Sequence, residues 1–174
     1  MIGLVLRPWR QVQRHLLRLA PVGLTLALVL LGCLPLGLPY LSSVMPLLAV
    51  MAVYYWSIFR PELMPAAAAF GIGLVQDALG GGPLGLMALV LVAVRGICFA
   101  QRKVFFRKSF LVGWFGLGLV AAGATFGMWL VATIYYMTLI NPAPGLIQLA
   151  ITIVLYPAVS WLFNRTEQSV LRWA

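Results

Sequence analysis

Acidic residues are almost missing from this chain: it has three Asp+Glu in 174 residues, beside two cysteines and a single histidine. So few carboxyl and imidazole groups leave little from which to build general acid–base catalysis, and Asp77 has no second acid or histidine near it in sequence. Ser42 and Ser43 likewise have no neighbouring base to activate them. A metal site or a disulfide framework would lack ligands; Cys33 and Cys98 read as small apolar packing residues and His15 as a surface residue. Charge of either sign is scarce too. Only 9% of the residues are charged while 63% are hydrophobic, and the mean hydropathy is +1.03. Soluble domains carry roughly 25% charged residues, so a water-soluble globule is excluded.

What the chain has is long apolar stretches. A bilayer core of about 30 Å needs about 20 apolar residues per helix, and six stretches fit that ruler: 20–38, 41–59, 63–79, 84–100, 110–139 and 145–163. They break at Pro- and Gly-rich punctuation such as Arg60-Pro61 and Gly80-Gly81-Gly82-Pro83. The fold class expected is all-α: a polytopic six-helix membrane bundle over 20–164, preceded by an arm over 1–19 and followed by a tail over 165–174. Stretch 110–139 would be some 45 Å long and must tilt, kink or project. Of the twelve Lys+Arg, all but Arg95 fall at one set of ends. Positive loops stay cytoplasmic, which places both termini there, requires an even number of crossings and accounts for the +9 net charge. Nothing is then left to argue for nucleic acid. The first apolar stretch lacks a convincing small-x-small cleavage site, so it reads as a helix and not as a signal peptide.

In the arm, Arg7, Arg10, Arg14 and Arg18 share one helical face, with Trp9, Val12, Leu16 and Leu19 opposite. Such a helix lies in the interface, its basic face on anionic lipid head groups; docking of a cytoplasmic partner is the other reading. At Arg60-Pro61-Glu62 the proline and acid suit a first helical turn. Arg95 either pairs with Glu62 or snorkels to the same level. Asp77, late in the third stretch, reads as a helix-ending acid before a flexible turn, or as a structured cap or partner contact fed by N–H groups of the triple glycine Gly80-Gly81-Gly82. Gly71, Gly73, Gly85, Gly123 and Gly127 would admit close helix approach. Tyr40, Tyr54, Tyr55, Trp56, Trp114, Tyr135, Tyr136 and Trp161 sort toward the two interfaces, as belts or core packing.

The run Tyr54-Tyr55-Trp56-x-x-x-Arg60-Pro61-Glu62-Leu63, followed by Gly73-Leu74-x-x-Asp77-x-Leu79-x-Gly81-x-Pro83-Leu84-Gly85, resembles the rod shape-determining MreD family, especially its alphaproteobacterial members. The family's acid, glycine-rich turn and Leu-Gly fall on Asp77, Gly81, Leu84 and Gly85. The resemblance is firmest over 54–92 and implies a non-enzymatic inner-membrane scaffold of the cell-wall elongation machinery, without cofactor. The implied partners are MreC above all, with RodA, its transpeptidase and the MreB filament in the same complex. It also implies a bundle similar to the substrate-binding subunits of energy-coupling-factor transporters. A small-molecule or lipid-binding transport subunit is therefore the alternative, although fold alone fixes no ligand.

Overall fold

The computed structural model describes residues 21–32, 45–105 and 110–171, and all regular structure among them is helical. Six helices follow one another: α1 Pro21–Gly32, α2 Leu48–Phe59, α3 Ala66–Gly80, α4 Leu86–Phe105, α5 Phe110–Tyr136 and α6 Ala143–Leu171. The arm with Arg7, Trp9, Arg10, Arg14, Arg18 and His15 lies outside the described residues, as do Cys33, Tyr40, Ser42 and Ser43.

Helix α2 is apolar on every side and sits at the centre, buried from Ala49 to Ile58 and packed on α3, α4, α5 and α6. A helix without a polar face must be covered all round. Tyr54, Tyr55 and Trp56 are therefore core residues and form no interfacial belt. Tyr54 donates its hydroxyl to the Gly113 carbonyl at 2.8 Å, and the rings of Tyr55 and Trp56 pack on Phe163 at 5.2 and 5.7 Å. Tyr135, Tyr136 and Trp161 are exposed, as belt residues would be.

Prolines set two helix starts later than the hydropathy ruler places them. Proline lacks an N–H and pushes the preceding residue out of the helical region, so α2 begins after Pro46 and α3 after Pro65. Pro61 and Glu62 consequently lie in a turn ahead of α3 and not in its first helical turn, which corrects the capping role expected of them. Conversely α4 runs on to Phe105, beyond residue 100 where the hydropathy ruler ends the fourth stretch.

Helices α5 and α6, of 27 and 29 residues, are about 40 Å long or more. Both are long and apolar enough to cross a membrane, and only 17% and 22% of their most apolar windows are buried inside the protein. An interior helix of a soluble core would be mostly covered. Helix α5 stops at Tyr136, where Met137 turns to φ 51°. The proline inside a long helix is in α6, at Pro157. It has no N–H to give the Ile153 carbonyl four residues back, and the Trp114 indole N–H of α5 takes that acceptor at 2.9 Å. The missing backbone bond becomes a tie between two helices.

Contacts across the bundle fix which ends lie together. At the first end, Gln148 of α6 donates to the Met45 carbonyl at 2.6 Å, and Thr152 accepts the Leu47 N–H at 3.0 Å just ahead of α2. At the second end, Arg95 of α4 reaches the turn between α2 and α3. The α3–α4 turn belongs to the first end; Arg60, Glu62 and Arg165 belong to the second.

Candidate functional site

The most extensive helix pair is α3 with α4, and two residues one turn apart on α3 explain it. A Cβ on Gly73 would fall 2.5 Å from the Ala88 nitrogen and 2.9 Å from the Met87 carbonyl carbon. Only glycine fits, so the α3 backbone rests directly on the first turn of α4. Four residues on, the same face presents Asp77, 7% exposed. Its carboxylate accepts N–H groups from Gly85 at 2.9 Å, Met87 at 3.0 and 3.1 Å, and Ala88 at 3.3 Å. The first four N–H groups of a helix have no partner within it. Here Leu86 donates to Pro83 and Leu89 to Gly85, while Asp77 takes the two between. Asp77 is thus the N-terminal cap of α4, supplied by the preceding helix, and its negative charge meets the positive end of the α4 dipole.

The glycines play a different part from the one expected. The donors to Asp77 come from 85–88, whereas Gly81 ends α3 in the left-handed region at φ 67° and Gly85 enters α4 at φ 97°. Those conformations favour glycine whatever the space around it. A Cβ at Gly71, Gly85, Gly123 or Gly127 would meet nothing within 4 Å, so close approach inside the chain is confined to Gly73 among these five. Leu84, at the tip of the turn, is 77% exposed. Asp77, Gly81, Leu84 and Gly85 are therefore brought together in one turn, with Leu84 exposed at its tip.

Arg60, Pro61, Glu62 and Arg95 gather at the opposite end. Arg95 donates its Nε–H to the Met64 carbonyl at 2.7 Å and lies 5.5 Å above the Phe99 ring. Glu62 is exposed, and no ion pair joins it to Arg95. Arg95 acts instead as a strut from α4 to the α2–α3 turn. Among the described residues no group of three or more His, Cys, Asp or Glu is placed to hold a metal ion.

Sequence reasoning missed Thr152 as the acceptor ahead of α2 and Trp114 as the partner of Ile153. Signals for both were present: a Gln148-x-x-x-Thr152 pair in an otherwise apolar helix, and a proline inside a span, which always leaves one carbonyl open.

Among the described residues the chain is all-helical and strongly apolar, with two helices long enough to cross a membrane, which are features of the class of helical membrane proteins. The chain belongs to the family of the rod shape-determining protein MreD, which it matches over residues 13–166. Membership brings a role in determining rod shape and association with the membrane. Nothing among curated proteins or solved structures matches the chain.

Proposed function

We propose that the protein is a non-enzymatic scaffold of the cell-wall elongation complex, crossing the inner membrane six times with both termini in the cytoplasm. The observation that carries this reading is the family match over nearly the whole chain. In this reading it binds MreC and helps to couple MreB filaments to peptidoglycan synthesis by RodA and its transpeptidase. The Asp77 turn faces the periplasm and offers Leu84 to a partner. The basic end, with Arg60 and Arg165, faces the cytoplasm, as the positive-inside rule requires.

In-cell crosslinking followed by purification in mild detergent tests the partners. MreC with RodA is the expected catch, and an ATPase transport module in their place would overturn the reading. Leu84→Glu should cut recovery of MreC at unchanged abundance, because it alters an exposed side chain that caps nothing. Topology is tested separately. With Cys33 and Cys98 replaced by Ala, a membrane-impermeant thiol reagent on intact cells should label Asn141→Cys and spare Glu62→Cys; the reverse pattern would refute the orientation.

A further inference from the structure

We propose that the cavity enclosed by α5, α6 and the start of α4 is a lipid site, holding one acyl chain of a glycerolipid and meeting its uncharged ester region at Asn141 and Gln148. The cavity measures about 580 Å³, within the range of small-molecule sites. Its lining is mostly apolar, with Met128, Ala132 and Leu149, and the polar side chains in it are Thr125, Trp129, Asn141 and Gln148. There Asn141 Oδ1 accepts the Ala143 N–H at 3.0 Å, which leaves the side-chain Nδ2–H donors free. Gln148 donates Nε2–H to Met45, which leaves its amide oxygen as a free acceptor. One donor and one acceptor above an apolar slot suit the ester and hydroxyl oxygens of a glycerol backbone.

Three observations favour a membrane lipid over a soluble metabolite. The walls continue into exposed apolar faces, with Phe126 62% and Leu146 61% exposed, surfaces that suit an acyl chain better than a polar metabolite. The Trp129 indole, which donates to the Ile140 carbonyl at 2.8 Å, lines the cavity beside the Asn141 turn, and indoles of this kind favour the lipid head-group region. No charged residue lines the cavity, so the phosphate charge is not what it selects. Depth in the bilayer rests on the topology proposed above, whereas retention of lipid in detergent does not. Failure of retention therefore refutes the cavity alone and leaves topology to thiol labelling.

The test is native mass spectrometry of the full chain in mild detergent with added phosphatidylethanolamine or phosphatidylglycerol. The chain should retain one molecule of either, equally at low and high salt. Ala132→Phe, which fills the cavity, should weaken retention about tenfold. Asn141→Asp keeps the acceptor for Ala143 but loses the donors, and should weaken it about fivefold. Retention unchanged in both variants would overturn the proposal. So would retention of phosphatidylglycerol only, abolished by salt, or a photo-crosslinker at position 132 that captures a polypeptide and no lipid.

Discussion

Gly73 and Asp77 work as one device, the first by having no side chain and the second by having the right one. Gly73→Ala would drive a methyl into the α4 backbone, which no rotamer change can relieve; we expect a loss of about 3 kcal/mol, read as a lower unfolding midpoint in detergent. Asp77→Ala leaves the Met87 and Ala88 N–H groups buried without acceptors and should lose about 1–3 kcal/mol. Asp77→Asn retains one acceptor oxygen and should fall between alanine and the native chain. An Asn variant no better than Ala would show that the carboxylate charge, and not the hydrogen bonds, holds the turn. Ser57 poses the opposite case, a fully buried hydroxyl without a partner. Ser57→Ala should raise stability by about 1 kcal/mol, since it removes an unmet polar group at little change in volume; a fall in midpoint would refute the reading of Ser57 as an unmet polar group.

Elements were legible in the sequence to the extent that hydropathy and punctuation decide them. Among the described residues each of the six apolar stretches holds one helix, and the Gly80–Pro83 reversal fell where it was expected. Helix starts were not legible from hydropathy, because Pro46 and Pro65 act through backbone geometry while leaving the apolar run unbroken. The burial of Tyr54, Tyr55 and Trp56 was equally hidden: an amphipathic ring looks the same in an interface as in a core, and only the packing of α2 decides. Pro157 gives the sharpest test at this scale. Trp114→Phe should destabilise by about 1–3 kcal/mol because the Ile153 carbonyl is left open. In a Pro157→Ala background the new N–H can take that carbonyl, so the same Trp114→Phe change should become nearly neutral. Additive effects in the double-mutant cycle would show that the indole bond is incidental.

Across the whole molecule the scarcity of polar side chains explains where the few are placed. Helix ends away from water must find protein partners, and this chain closes them from neighbouring helices: Asp77 for α4, Thr152 ahead of α2 and Trp114 for the gap inside α6. The Asp77 cap was legible because its donors lie only 8 to 11 residues on, whereas the partners of Thr152 and Trp114 are 105 and 39 residues away and no local spacing pairs them. The Asp77 cap carries a consequence for biogenesis. An aspartate at a helix centre opposes membrane insertion by about 2.5–3.5 kcal/mol, and less near the end. In the six-crossing topology proposed above, the Asp77 carboxylate has none of its three N–H donors while α4 is still in the ribosome, so α3 alone is a poor insertion substrate. In that topology the two helices would be delivered to the bilayer as a hairpin, and the order of synthesis itself would become a folding constraint.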